Sequence, residues 1–284
     1  MFGVFDLVHR LDVRYGSLPM TRARGIVALA GLLTATLLAA ALARAEGSPR
    51  ATSAFVRMTP AGDPSACSAG MVLVDGEWCP RVEQQCLRWL DPPGRYHDYR
   101  CAEYSRSPRC LAPREHKRFC IDRRERTEKG SGLPLNAQSW NDAKRSCDDA
   151  GARVCMDSEW TFACEGESMR PYPYGWRREA SKCNADKVLL LVPGQPWRLR
   201  DERDPAGAHP QCASPFGVLD MAGNVAEWVS VDGHPEGSAV VQKGNWWQPG
   251  KHACRDAQWG HDRFYKGTET GFRCCADARD SLPP

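Results

Sequence analysis

Nowhere in the 284 residues do two cysteines stand as Cys-x-x-Cys, no two histidines lie four apart, and neither sign of charge dominates. Each absence removes a class of function. Spacings such as Cys79 to Cys86 and Cys101 to Cys110 do not suit a zinc knuckle. The seven histidines, His9, His97, His116, His209, His234, His252 and His261, lack the i, i+4 step that sets two imidazoles on one helix face. His252, Cys254 and His261 come nearest to a metal cluster, and a scattered, partly exposed set is the plainer reading. No internal repeat is present. The formal charge is +3, from 38 basic and 35 acidic residues. Setting aside the five arginines and two aspartates of the first 45 residues leaves 33 of each. A neutral chain gives no electrostatic reason to invoke nucleic acid or an anionic membrane.

Those first 45 residues read as a leader. Met20 offers a second start, Thr21-Arg22-Ala23-Arg24 a basic segment, Ile26 to Leu42 an apolar stretch, and Ala43-Arg44-Ala45 an A-x-A cleavage site. The alternative is a membrane anchor, for which 17 apolar or small residues are short. An exported protein is expected, whether periplasmic, cell-surface or secreted, touching a membrane only through an uncleaved leader. Residues 46–69 read as a linker, and 70–284 as the folded domain.

What is abundant is cysteine. All 14 lie between Cys67 and Cys275, and an even number in an exported chain reads as a disulfide framework. Gly70 to Trp78 reads as a strand, a glycine turn and a second short strand, and Phe119 to Asp122 as another strand. Residues 79–118, with four cysteines and Pro92-Pro93-Gly94, read as a disulfide-held insertion. Ser139 caps a helix, Asp142 completes a loose capping box, and Trp140, Ala143, Cys147 and Ala150 recur on one face before Gly151. A second helix runs from Asp157 to Glu165, burying Trp160, Ala163 and Cys164, and a long irregular stretch extends to Gln211. Ala239 to Gln242 reads as a strand. Trp246, Trp247 and Trp259 are read as core residues before they are read as a groove lining. The class is α+β, irregular and disulfide-rich.

Seven blocks in order carry a resemblance: GMVLVDGEW at 70–78, FCIDRRERT at 119–127, SWNDAKRSCDDAGARVCMDSEWTFACEG at 139–166, YPYG at 172–175, CN at 183–184, SPFGVLDMAGNVAEW at 214–228, and GFRCC at 271–275. Together they resemble the formylglycine-generating enzyme (sulfatase-modifying factor) family, which implies a C-type-lectin-like fold. The resemblance implies disulfides Cys147–Cys274 and Cys164–Cys254. It also implies calcium bound by the Asp220 side chain, the Gly223 and Val225 carbonyls and Glu227, hard oxygen donors suited to that ion. A weaker second site would use Asn184 and the Ala185 carbonyl, with an acid near Asp201 or Asp204.

Active members of the family hold copper(I) between two thiolates five residues apart, upstream of the cysteine matched here by Cys254. Soft sulfur donors suit that soft ion. Residues 243–253 contain no cysteine, so copper is not expected and no catalytic residue is named. The related iron-dependent sulfoxide synthases need histidines from a helical domain that nothing before residue 70 supplies. The reading is a pseudoenzyme: a calcium-stabilised binding or accessory module for a peptide, protein or glycan, with a divergent metal-dependent oxidase of the same family as the alternative.

Overall fold

The computed structural model describes residues 66–280. Residues 1–65, and with them the expected leader and most of the linker, lie outside the described part. Ala66 is buried and Cys67 is bonded to Cys120, so the folded region starts before Gly70.

The first strand, β1 (Met71–Trp78), is unbroken. A turn is expected at Gly76; the structure instead pairs Gly76 with Lys117 in a ladder running from Met71↔Asp122 to Trp78↔Glu115. Eight consecutive cross-strand pairs outweigh the local turn preference of one glycine. The Cys-rich insertion holds β2 (Val82–Glu83), β3 (Cys86–Trp89), β4 (Cys101–Tyr104) and β5 (Arg109–Cys110). They form two small antiparallel pairs, β2 with β5 and β3 with β4, stapled by the nested bridges Cys79–Cys110 and Cys86–Cys101. β6 (Glu115–Asp122) is the partner of β1 and extends further upstream than its sequence pattern suggests.

Helix α1 (Trp140–Asp149) starts as its capping box predicts. The Asp142 N–H donates to Ser139 Oγ at 3.1 Å, and the Ser139 N–H to Asp142 Oδ2 at 3.0 Å. Trp140, Ala143 and Cys147 face the core; Ala150, expected with them, is exposed because it lies past the last helical residue. After β7 (Arg153–Val154) comes α2 (Asp157–Glu165), buried from Ser158 to Glu165 on all sides rather than along one stripe. The stretch to Gln211, expected to be irregular, contains a hairpin of β8 (Leu191–Val192) and β9 (Gln195–Leu199).

The remaining strands are β10 (Ala226–Ser230), β11 (Val240–Lys243), β12 (Ala257–Gln258), β13 (Thr270–Gly271) and β14 (Cys274–Asp277). One four-stranded sheet has the order β1-β6-β14-β7 and the other β12-β11-β10-β13. The two helices pack between them. Trp160, Phe162, Val218, Met221 and Val229 fill one core cluster; Trp140, Trp228 and Phe272 fill a second. Of the ten tryptophans, Trp140, Trp160, Trp228 and Trp247 are buried and are among the largest side chains of the core, while Trp197 and Trp259 are exposed.

All 14 cysteines are paired, in seven disulfides. Cys147–Cys274 and Cys164–Cys254 are the two pairs that the resemblance implies. Neighbouring Cys274 and Cys275 point to opposite faces of β14, so Cys275 takes a different partner, Cys155. Cys183–Cys212 holds the segment that leads to the Gly-Asn corner.

Candidate functional site

Two places compete for function: the corner around Gly223-Asn224, and a cavity over residues 242–258. At the corner, β10 is an inner strand buried along its whole length, so Glu227 has no route to water and must find a partner inside. It finds Arg273. Both Glu227 oxygens accept from the guanidinium, Oε2 from Nε and Oε1 from Nη2, each at 2.6 Å. Oε2 also accepts from the Trp160 indole at 2.6 Å. Arg273 spends its other N–H groups on the carbonyls of Asp122 and Leu219. The guanidinium is held firmly protonated, because its neighbouring carboxylates outweigh the cost of burial.

Two more buried carboxylates, Glu125 and Asp220, lie close enough to feel this pair. Burial raises the pKa of both, and for Glu125 the charges of Asp220 and Glu227 raise it further. Glu125 accepts from Asn224 Nδ2 at 2.8 Å, and Asp220 Oδ2 accepts from the Gly207 N–H at 2.6 Å. Asn224 is the hub: its Oδ1 also accepts from Asn184 Nδ2 at 3.0 Å and from the Asp204 N–H at 2.9 Å. Gly223 is required here. Its φ is +88°, and a Cβ would sit 2.2 Å from the Asn184 carbonyl oxygen.

These donors test the calcium expected from the resemblance. Glu227 does not fit: a guanidinium and an indole already occupy both its oxygens, and a cation would have to displace a buried positive charge. Asp220 Oδ1 and Asn184 Oδ1 do fit, being buried side-chain oxygens with no partner. Asp201 is held by Arg203 and Asp204 by His209, so neither carboxylate completes a set around Asn184. Among the described residues no three His, Cys, Asp or Glu side chains gather as a metal group, which also disposes of His252, Cys254 and His261 as a cluster. The first calcium site thus keeps the free Asp220 Oδ1 with Glu227 engaged elsewhere, and the second keeps the free Asn184 Oδ1 with Asp201 and Asp204 paired to cations.

The cavity lies on the stretch where the resemblance would place the copper cysteines. It encloses about 180 Å³. Its wall is polar: Gln242, Asn245, Lys251, His252 and Gln258 line it, with Tyr99 from the Cys-rich insertion at its edge. Gln242 is buried and its Nε2 has no hydrogen-bond partner. Asn245 Oδ1 accepts from Gln258 Nε2 at 2.7 Å, while Asn245 and His252 both adopt positive φ, +59° and +55°. His252 is clamped between the Gln248 carbonyl at 2.9 Å and the Gly244 carbonyl at 3.2 Å. Burial and the nearby Arg178 charge lower its pKa to about 4, so the ring is neutral near pH 7 and donates to one carbonyl only. Cys254, which closes this segment, is bonded to Cys164. Of the tryptophans, Trp247 is fully buried and packs edge-on against Trp246, but Trp259 is exposed and belongs to no core cluster.

Residues 88–278 match the family described as the sulfatase-modifying factor enzyme 1-like domain. The chain belongs to that family. Among its curated relatives, the inactive C-alpha-formylglycine-generating enzyme 2 of Mus musculus is 30% identical over 159 residues, covering 51% of this chain and 50% of that protein. The formylglycine-generating enzyme of Thermomonospora curvata is 28% identical over 174 residues, covering 51% and 55%. The chain spans about half the length of these relatives. Solved structures similar to it include PvdO from Pseudomonas aeruginosa, with 18% identity and a TM-score of 0.46 over 73% of this chain and 94% of that one. The fold is the irregular, disulfide-rich α+β fold of the sulfatase-modifying factor family.

Sequence reasoning missed Glu125, Arg273 and Gln242. Arg273 carried a signal, since a lone cation between Phe272 and Cys274, in the buried link from β13 to β14, must meet a carboxylate. Gln242 carried none.

Proposed function

We propose that this protein is an exported, non-catalytic member of the sulfatase-modifying factor family that works as a binding module. The observation that carries the reading is that every cysteine is engaged in a disulfide, Cys254 included, and that residues 243–253 contain none. A copper(I) centre built on two thiolates has no donors here, and the cavity in its place is lined by the amides Gln242, Asn245, Gln248 and Gln258 together with Lys251, His252 and Asp256. Amide side chains offer a donor and an acceptor together, which suits the polar groups of a peptide or a glycan. The cavity exceeds the roughly 150 Å³ that accommodates a benzene-sized molecule, room for one side chain or sugar ring. A dense disulfide framework and relatives in this family support export. No helix among the described residues is long and apolar enough to cross a membrane.

The test uses the purified chain. Titration with copper(I) under anaerobic conditions is expected to give no one-to-one complex, and a Cys-x-Pro-x-Arg peptide is expected to remain unconverted. Stoichiometric copper together with formylglycine in the peptide would reinstate the oxidase. Calcium remains a proposal at Asp220 and Asn184, whose free oxygens are the features that support it. Added calcium is expected to raise the melting temperature and a chelator to reverse the rise; no response to either would remove calcium from the reading.

A further inference from the structure

The β8–β9 hairpin contributes nothing to either core cluster, yet it and the residues leading into it expose a run of large apolar side chains. Val188 is 79% exposed, Leu189 69%, Leu191 49% and Trp197 79%. The two strands form a separate two-stranded sheet, bonded to neither large sheet. Its base is tied down by the Lys187 N–H donating to the Trp247 carbonyl at 2.7 Å, and by the Cys183–Cys212 bridge just before it. An isolated hairpin is marginal in water, and one that displays leucines and a tryptophan outward gains no stability from burying them.

Charge says what would cover it. Lys187 and Arg198 flank the apolar side chains and make no ion pair among the described residues; Arg200 is neutralised by Glu202 at 2.6 Å. Two copies meeting hairpin to hairpin would bring these cations together with no added acid, which disfavours self-association. The end of the hairpin is Pro193-Gly194-Gln195-Pro196, and its two prolines have no N–H to leave unbonded in an apolar medium. The strands are far too short to span a bilayer, which takes about nine or more residues per strand. Shallow, side-on insertion suits this composition: Val188, Leu189 and Leu191 among acyl chains, the Trp197 indole at headgroup level, and Lys187 and Arg198 facing anionic lipid.

We propose that the β8–β9 hairpin docks the protein on an anionic lipid surface. This is independent of the ligand cavity and of catalysis. The test is hydrogen–deuterium exchange of the full chain with vesicles containing roughly 30% phosphatidylglycerol, or phosphatidylcholine alone. Exchange over residues 187–200 is expected to slow with the anionic vesicles only, and to recover in about 0.5 M salt. Leu189→Ser with Trp197→Ser, at exposed positions that leave the melting temperature unchanged, should abolish that protection and weaken vesicle binding about tenfold or more. Arg198→Glu should weaken it as well. Unchanged exchange over 187–200 in the presence of vesicles overturns the proposal, even if other segments bind them. Protection that grows with protein concentration and needs no lipid overturns it in favour of a protein contact.

Discussion

Arg273 is the one guanidinium set among three buried carboxylates, Glu125, Asp220 and Glu227, and its removal should be felt more than that of any surface charge. Replacing one partner of a buried pair strands the other. Arg273→Met is therefore expected to cost about 3–5 kcal/mol in chemical denaturation. His252 gives a signature with a definite sign. Its pKa falls from 6.5 in the unfolded chain to about 4 in the fold, so between these values the unfolded state takes up a proton that the native state refuses. Stability contributed through this ring is complete above about pH 6.5 and is lost as pH falls, by roughly 3 kcal/mol across the window. Glu125 and Asp220 titrate in the opposite sense, so the measurement is the difference between wild type and His252→Gln as a function of pH. That difference should shrink towards acid; a flat difference would mean that the imidazole is not held neutral.

Elements were legible in the sequence where local chemistry and tertiary packing agree. The Ser139–Asp142 box and the Trp140, Ala143, Cys147 stripe specify α1 without help from the rest of the chain. Ser139→Ala should cost about 1 kcal/mol, read as a lower denaturation midpoint. Where long-range pairing decides, local signals mislead. Gly76 reads as a turn and is carried through a ladder by Lys117. The apolar run from Val188 to Val192 passes for an irregular segment because no polar alternation sets the half-buried Leu190 and Val192 apart from their exposed neighbours. At the Gly-Asn corner the turn and its carboxylates could be named, but not the occupant of Glu227. That answer lies 46 residues further along, in Arg273.

At the scale of the molecule, cross-links stand in for long regular elements. Three bridges, Cys147–Cys274, Cys155–Cys275 and Cys164–Cys254, tie both helices and β7 to the last part of the chain. Replacing Cys147 and Cys274 together by alanine should lower stability by about 2–5 kcal/mol, measured by denaturant unfolding without reductant. A thiol assay on the denatured, unreduced protein should detect no free sulfhydryl; two per chain would contradict the pairing and bring the copper chemistry back.

The order of those bridges has a consequence for biosynthesis. Cys67, Cys79, Cys86, Cys101, Cys110 and Cys120 all find mates among themselves, so a growing chain can be oxidised there while the rest is still unmade. Cys147 and Cys155 must wait 127 and 120 residues for theirs. Until translation reaches the adjacent pair near the end, two reactive sulfurs stand idle beside a maturing neighbour, and a nascent chain released early would expose them to wrong partners and to isomerase rescue.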